Sequence, residues 1–242
     1  MEYSYRRCLI KISGEALGDT NEMYSGRKIK GIVEQIVTLA KQGLEIAIVV
    51  GGGNIWRGAD ANIPGLDKVN ADYMGMLATV MNSLALEAEF KNQGFEKVVI
   101  QSSIEMNKIC EPYFFKKCIS RLSKGYIVIL AAGTGYPYFT TDTAASLRAA
   151  EIKADVLLMA KNGVDGVYSA DPKKDPQAIH YDFLTYQEIT EKKLRVMDLT
   201  AVTMSMEANL KIIVFDINKT NNIIKAINEQ AIVTVISSKK GN

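Results

Sequence analysis

Apolar residues along this chain follow two alternating patterns. Short runs rich in β-branched residues recur at 7–12, 44–50, 95–101, 126–131, 155–160, 211–216 and 231–236, spaced by segments of helix length or more. These runs are apolar throughout instead of alternating with polar residues, as strands are when helices cover both faces of their sheet. Between the first two runs, Ile29, Ile32, Val33, Ile36, Val37 and Ala40 recur at helical spacing, and Gly43 follows as a stop. Val69, Tyr73, Met76, Leu77, Val80, Leu84 and Ala88 repeat the pattern ahead of Gly94, predicting a second helix with that stripe against the core. Strand, helix, strand in succession predicts an α/β protein with a parallel sheet.

The segment 161–180 breaks this rhythm. Asn162-Gly163, Asp165-Gly166, Pro172 and Pro176 prevent one regular element there and predict a long ordered loop of the functional kind. A second long connection, from Arg57 to Asp67, is expected to be mobile. No repeat or low-complexity tract interrupts the chain.

Composition narrows the function. Lys and Arg number 29 against 27 Asp and Glu, a net charge of +2, which lacks the basic excess of a protein that neutralises many nucleic-acid phosphates. No apolar run approaches the roughly 20 residues of a membrane span, and Cys8 to Ile10 is too short for a signal peptide, so a cytoplasmic location is expected. The odd cysteine count, Cys8, Cys110 and Cys118 with no C-x-x-C pair, suits a reducing compartment and offers no metal framework. All three are expected to be small core residues.

In an open parallel sheet, ligands bind beyond the carboxyl ends of the strands. Glycine clusters occupy those positions here. KISGE (11–15) follows the first strand, GGGNIWRG (51–58) the second, AGTGYPYFTTD (132–142) the fourth and NGVDGVYSAD (162–171) the fifth. Glycines let backbone N–H groups approach an anion, and a following helix N-terminus adds partial positive charge. Lys11 at a strand end and the planar fork of Arg57 suit phosphate oxygens. Thr140, Thr141 and Asp142 open a helix, where capping and ligand binding can coexist. The Walker A and dinucleotide motifs both fail: Ala59-Asp60 stands where Lys-Ser/Thr is needed, and neither G-x-G has a third glycine. His180 is the only histidine and no G-x-S-x-G serine exists, which excludes the common hydrolase triad; His180 is expected to be a solvated surface residue.

Together, KISGEAL (11–17), GGGNIWRG (51–58), ADYMGMLATVMN (71–82), AGTGYPYFTTDTAA (132–145) and VDGVYSADP (164–172) strongly resemble the bacterial uridylate (UMP) kinases of the amino acid kinase family, over essentially the whole chain. That resemblance implies a three-layer αβα sandwich around a mainly parallel sheet. It implies one kinase domain over 1–242, with an acceptor-binding part at about 1–150 and a nucleotide-binding part at about 151–242. It also implies phosphorylation of UMP to UDP by ATP with Mg²⁺ in pyrimidine nucleotide biosynthesis, a homohexamer, and GTP or UTP as effectors. By matching positions, Lys11, Ile12, Ser13, Gly14, Gly53, Arg57, Asn162, Tyr168 and Asp171 correspond to the ATP site. Gly52, Asp72, Thr134, Gly135, Tyr136, Pro137, Tyr138, Phe139, Thr140 and Thr141 correspond to the UMP site, and Asp142 to the aspartate that organises the catalytic lysines. Lys11, Arg57 and Asp142 are thus the implied catalytic set. Asp72 would face the ribose, although interaction with its helix dipole explains its position equally well. One position departs from the pattern: Gly163 stands where proteobacterial relatives carry lysine, and Lys161 is the nearest substitute. No protein-side metal ligands emerge. The rivals are an acyl-phosphate-forming amino acid kinase and a non-catalytic uridine-nucleotide sensor.

Overall fold

The computed structural model describes residues 4–20, 22–58, 63–172 and 174–239. Residues 59–62, within the connection expected to be mobile, lie outside the described residues. The strands are β1 (Arg7–Ile12), β2 (Glu45–Val50), β3 (Val98–Ser102), β4 (Glu111–Pro112), β5 (Ile127–Ala131), β6 (Val156–Lys161), β7 (Val167–Tyr168), β8 (His180–Tyr181), β9 (Phe183–Thr185), β10 (Lys211–Asp216) and β11 (Thr234–Ser237). Nine of them form one sheet in the order β4-β3-β5-β2-β1-β6-β10-β11-β9. Every neighbouring pair is parallel except β10 with β11. β1 sits between β2 and β6, at the point where the chain, having built one half of the sheet, crosses to build the other. That reversal opens the crevice in which such sheets bind ligands.

Strand pleat divides the core in two. Cys8, Ile10 and Ile12 of β1 face one layer, where they meet α1 (Gly26–Lys41), α2 (Lys68–Asn92) and, further along the sheet, α7 (Asn222–Ile227). Leu9 faces the other, which holds α3 (Phe115–Leu122), α4 (Thr141–Glu151), α5 (Tyr186–Glu191) and α6 (Leu199–Glu207). The result is helix, sheet, helix, with an apolar core on each side. Cys8, Cys110 and Cys118 are buried thiols within these cores.

Two expectations about side chains are corrected. In α2 the predicted apolar stripe does not face inward: of its members only Met76 and Val80 are buried, while Tyr73, Leu77 and Leu84 are exposed together with Met74 and Met81. The inward face instead carries Ala71, Ala78, Thr79, Asn82 and Ser83, because it packs on glycine-rich backbone that needs small residues and hydrogen-bonding partners. His180 is not a solvated loop residue. Within the segment 161–180, β7 pairs antiparallel with β8, setting Tyr168 opposite His180. The imidazole meets the Tyr168 ring edge-on at 5.1 Å between centroids, its side chain is 19% exposed, and Nε2 rests where Gly166 lacks a side chain.

The two ends of α2 and β5 are stitched by Thr79, whose hydroxyl accepts the Ala132 N–H at 2.8 Å and donates to Met76 O at 2.7 Å. Thr79→Val keeps the shape but leaves that buried N–H without an acceptor. We expect unfolding free energy to fall by about 1–3 kcal/mol in urea titrations. An unchanged stability would mean that the hydroxyl is not what holds the strand end.

Candidate functional site

Sheet geometry alone brings two lysines to one place. Lys11 follows Leu9 by two residues on β1, and Lys161 follows Leu157 and Met159 by the same even spacing on β6, so both side chains leave toward the α4 layer. There they meet Asp142, in the first turn of α4. Lys11 Nζ stands 2.7 Å from Asp142 Oδ1 and Lys161 Nζ 3.8 Å from Oδ2. Lys161 also donates to Val196 O at 2.6 Å. The side chains of Lys11 and Asp142 are 11% and 17% exposed. Burial pulls the Asp142 carboxyl upward, but the two ammonium charges outweigh it and hold the group below its ordinary value. Burial pushes the Lys161 ammonium below the usual lysine value, an effect that Asp142 partly offsets and Lys11 reinforces.

Asp142 is placed by a capping network. Thr140 caps α4, its hydroxyl accepting the N–H groups of Asp142 and Thr143 at 3.1 and 3.2 Å. The same hydroxyl donates to the Asp198 carboxylate, which also accepts from Thr143 Oγ1 at 2.9 Å and caps α6 through the Ala201 N–H. Sequence reasoning passed over Asp198, whose only signal is its position ahead of a helix.

The glycine turns after β1 and β2 press against each other. A Cβ on Gly14 would lie 2.6 Å from Gly51 O and 2.8 Å from Gly53 N, and one on Gly52 would lie 2.8 Å from Gly75 O of α2. The Ile12 carbonyl accepts the Gly51 N–H at 2.9 Å, and Ser13 O accepts from Ala16 N at 3.0 Å to close the turn. Asn82, fully buried on α2, donates to Gly51 O at 2.6 Å and to Asn54 Oδ1 at 2.7 Å. A lone amide on the inward face of an apolar helix was the signal for it. Arg57 Nε donates to Gly53 O at 3.2 Å, and its fork is paired with Glu15; its side chain is 54% exposed.

Two cavities flank this centre. One, of about 270 Å³, is walled by Gly52, Gly53, Asp72 and, across from them, by Thr134, Tyr136 and Phe139; Thr140 and Thr141, next to Asp142, close its inner end. Asp72 Oδ2 accepts the Tyr138 N–H at 2.7 Å, and Lys68 pairs with the same carboxylate at 2.9 Å. The cap of α2 is Asp67, which accepts the Asn70 N–H at 2.7 Å, so Asp72 is not the capping residue of this helix. Gly135 packs on Ser103, Tyr138 lies exposed near Lys68, and neither they nor Pro137 line the cavity.

The second cavity, of about 540 Å³, has Lys161 at one wall, Tyr168 and Asp171 at another, and Arg195 and Val196 opposite. Tyr168 donates to Asp165, whose acceptance of that bond pushes the phenol up to about 12; Lys219 pairs with Asp165 at 2.6 Å. Asn162 accepts from Asn218 at 2.8 Å and does not line the cavity. Asp216 accepts the Gly163 N–H at 2.9 Å. Gly163 has φ +79°, a conformation that disfavours any side chain there, whereas Lys161 already reaches Asp142.

Because Asp142 is held below its unfolded value of about 3.9, its contribution is fully present above that pH and fades as pH falls through the lower folded value. Asp142→Asn leaves two ammonium groups facing each other without a counter-charge. We expect it to lower unfolding free energy at pH 7 by about 3 kcal/mol, the lower end for a broken buried pair, since these groups are partly exposed. Urea midpoints taken from pH 7 downward should show the gap to wild type closing in acid; a gap that stays constant would detach the effect from this carboxylate.

Similarity to known proteins covers the same residues. Residues 6–216 match the Amino acid kinase family. A uridylate kinase of Mesoplasma florum is 51% identical over 236 residues, 98% of this chain and 99% of that protein. The crystal structure of UMP kinase from Ureaplasma parvum superposes with a TM-score of 0.92 at 38% identity, covering 98% of this chain and all of that one. UMP kinase from Bacillus anthracis gives a TM-score of 0.93 at 36% identity, with 98% and 97% covered. The chain belongs to the amino acid kinase family.

Proposed function

We propose that this chain transfers the γ-phosphoryl group of ATP to UMP, giving ADP and UDP, and that it does so in the cytoplasm. The observation that carries this reading is one cluster of two lysines and an aspartate bordered by two cavities of unequal size: Lys161 itself lines the larger, and Thr141, next to Asp142 in the chain, lines the smaller. The smaller cavity, built within the acceptor-binding part at about 1–150, takes UMP. The larger, within the nucleotide-binding part at about 151–242, takes ATP.

A phosphate oxygen of UMP attacks the γ-phosphorus in line with the bond to the β-phosphate, and that bond breaks as ADP leaves. No side chain has to become a nucleophile; the task is to neutralise charge on the transferring group and align it. Lys11 and Lys161 supply two positive charges at the junction, and Asp142 keeps both aimed there. Arg57, exposed and held only by Glu15 and a loop carbonyl, is free to turn its fork onto phosphate. Gly14 and Gly53, packed together in the two turns beside the cluster, offer backbone N–H groups to the ATP phosphates. Tyr168 and Asp171 lie along the wall of the ATP cavity, and Asp72 accepts from the ribose hydroxyls of UMP. Mg²⁺ would arrive with ATP, held mainly by its phosphates and by water. When bound, it shields negative charge shared between the β- and γ-phosphates.

A coupled ADP-release assay with UMP, CMP, glutamate and carbamate tests the reading: UMP should be consumed with ATP and the carboxylate and carbamate should not. Lys11→Ala should cut turnover on the order of 10²–10³-fold with the fold intact by circular dichroism. Turnover within about threefold of wild type would remove Lys11 from the mechanism.

We propose further that the exposed apolar face of α2 buries itself against a second copy of the chain within a hexamer. Tyr73, Leu77, Met81 and Leu84 recur there at i, i+4, i+8 and i+11 and form one continuous stripe. The double variant Leu77→Glu, Met81→Glu should elute as a smaller species with its circular-dichroism spectrum preserved. A wild-type protein that light scattering finds monomeric would end this proposal.

A further inference from the structure

One buried charge lies outside the machinery just described. Arg148, in the last turn of α4, has a side chain 6% exposed. Its Nη1 donates to Glu151 at 2.7 Å, and its guanidinium stacks on Tyr113 with 4.1 Å to the ring centre. The Tyr113 hydroxyl donates to the same Glu151 oxygen at 2.6 Å, so the carboxylate anchors both partners. Arg148 Nη2 points the other way. It donates to Ser103 Oγ at 2.8 Å and lies 3.3 and 3.4 Å from the carbonyls of Gly133 and Thr134. Ser103 in turn donates to Gly133 O at 2.9 Å.

Those carbonyls belong to the turn that walls the UMP cavity. The turn is strained at Ala132, which holds φ +61°, while Gly133 at +57° and Gly135 at +85° take up the same region freely. An alanine keeps a left-handed conformation only where its surroundings impose it. Thr79 fixes the Ala132 N–H from one side, and Arg148 with Ser103 fixes the carbonyls of Gly133 and Thr134 from the other. Thr134 and Tyr136 line the UMP cavity on one side and, on the other, a hollow of about 420 Å³ that Arg148, Tyr113 and Glu151 also line. The turn is therefore a thin wall, with no bulk of its own to hold it in place.

We infer that Arg148 is a positioning residue for acceptor binding: it never touches UMP but holds the Gly133–Thr134 turn in the conformation that receives it. The inference rests on the assignment of the smaller cavity to UMP. A guanidinium is needed because one planar fork serves Glu151 with one nitrogen and Ser103 with the two turn carbonyls with the other, while a lysine ammonium is a single point. A residue that only filled the core would affect both substrates alike, since its loss would loosen the whole of α4. A residue that shapes this turn affects UMP and leaves ATP, whose cavity lies on the far side of Lys161.

The test is a pair of variants assayed by steady-state kinetics beside wild type. Arg148→Lys should raise KM for UMP about tenfold or more while KM for ATP stays within about twofold. Ser103→Ala, which removes the linking hydroxyl and leaves Arg148 in place, should move KM for UMP in the same direction by about threefold. Thermal melts of each variant, with and without UMP, separate weaker binding from weaker folding: the stabilisation that UMP gives wild type should shrink in both. If KM for UMP and ATP rise by the same factor, or neither moves, the positioning role is overturned while the assignment of the reaction stands. If Arg148→Lys does not fold, Ser103→Ala decides alone by the same split. A wild type that consumes no UMP overturns both.

Discussion

The close passage of three backbones governs this structure. Because β1 and β2 are neighbouring parallel strands in register, with Ile12 opposite Val50, their turns leave the sheet at the same edge and at the same height. Gly14 lies against Gly51 and Gly53, and Gly52 lies against Gly75 and Ala78 of α2. No side chain fits in either gap, and a Cβ at 2.6–2.8 Å from backbone atoms would force the elements apart. Glycine here serves close approach and has no positive φ to explain it. Once the turns are this close, the Gly51 carbonyl needs a donor, and Asn82, held by reciprocal bonds with Asn54, supplies it from within the packing. Where α2 meets these turns its inward face is consequently small and polar, while Met76, Val80, Leu86 and Phe90 pack in the core and Tyr73, Leu77, Met81 and Leu84 stay exposed.

Electrostatics is arranged by the same frame. Two ammonium groups at adjacent strand ends repel each other, and burial makes each costlier to keep charged. The structure answers with a carboxylate in the first turn of α4, where the helix dipole also favours negative charge. Two interactions thus hold Asp142 ionised, and its ionisation keeps Lys161 charged against the pull of burial. The capping network of Thr140, Thr143 and Asp198 fixes where that helix begins. Any shift of α4 along its axis would move the counter-charge away from both lysines.

Much of this was legible in the sequence, and the remainder fails for identifiable reasons. Apolar runs marked the main strands to within a few residues, because a strand buried on both faces leaves no other reading. Glycine loops at strand ends pointed to the binding edge before any contact was known. Short pieces such as β4, β7 and β8 carry too few residues for a periodic signal. The orientation of α2 was misread because apolar residues were assumed to mark the inner face, whereas here backbone contact set that face and polar residues took it. Lys161 was only a neighbour of interest while the strand was taken to end at residue 160; extending β6 by one residue gives it the same face as Leu157 and Met159 and hence a route to Asp142. His180 gives no local signal because its ring partner lies across a hairpin, and the i,i+3 pair of Arg148 with Glu151 gives none of the reach to Ser103 and the turn, which lie far along the chain.

The two loops that line the cavities are held by different means, and the difference has a physical reason. The loop after β6 is tied by backbone and side-chain bonds to the neighbouring strands: Gly163 to Asp216, Val167 to Thr234, and Tyr168 through Asp165 to Lys219. It borders β10 and β11, so fixed partners are near at hand along its length. The turn after β5 has only β3 and β2 beside it, and both end before it curves back toward α4. Beside the Ser103 hydroxyl, which reaches only Gly133 O, its carbonyls border a cavity on each side. A side chain long enough to reach them from α4 must carry several donors and be neutralised where it lies, and Arg148 with Glu151 meets both conditions. The buried guanidinium is thus the consequence of ending a parallel strand at an open edge of the crevice: where the sheet supplies one hydroxyl for the turn, a helix supplies the remaining donors.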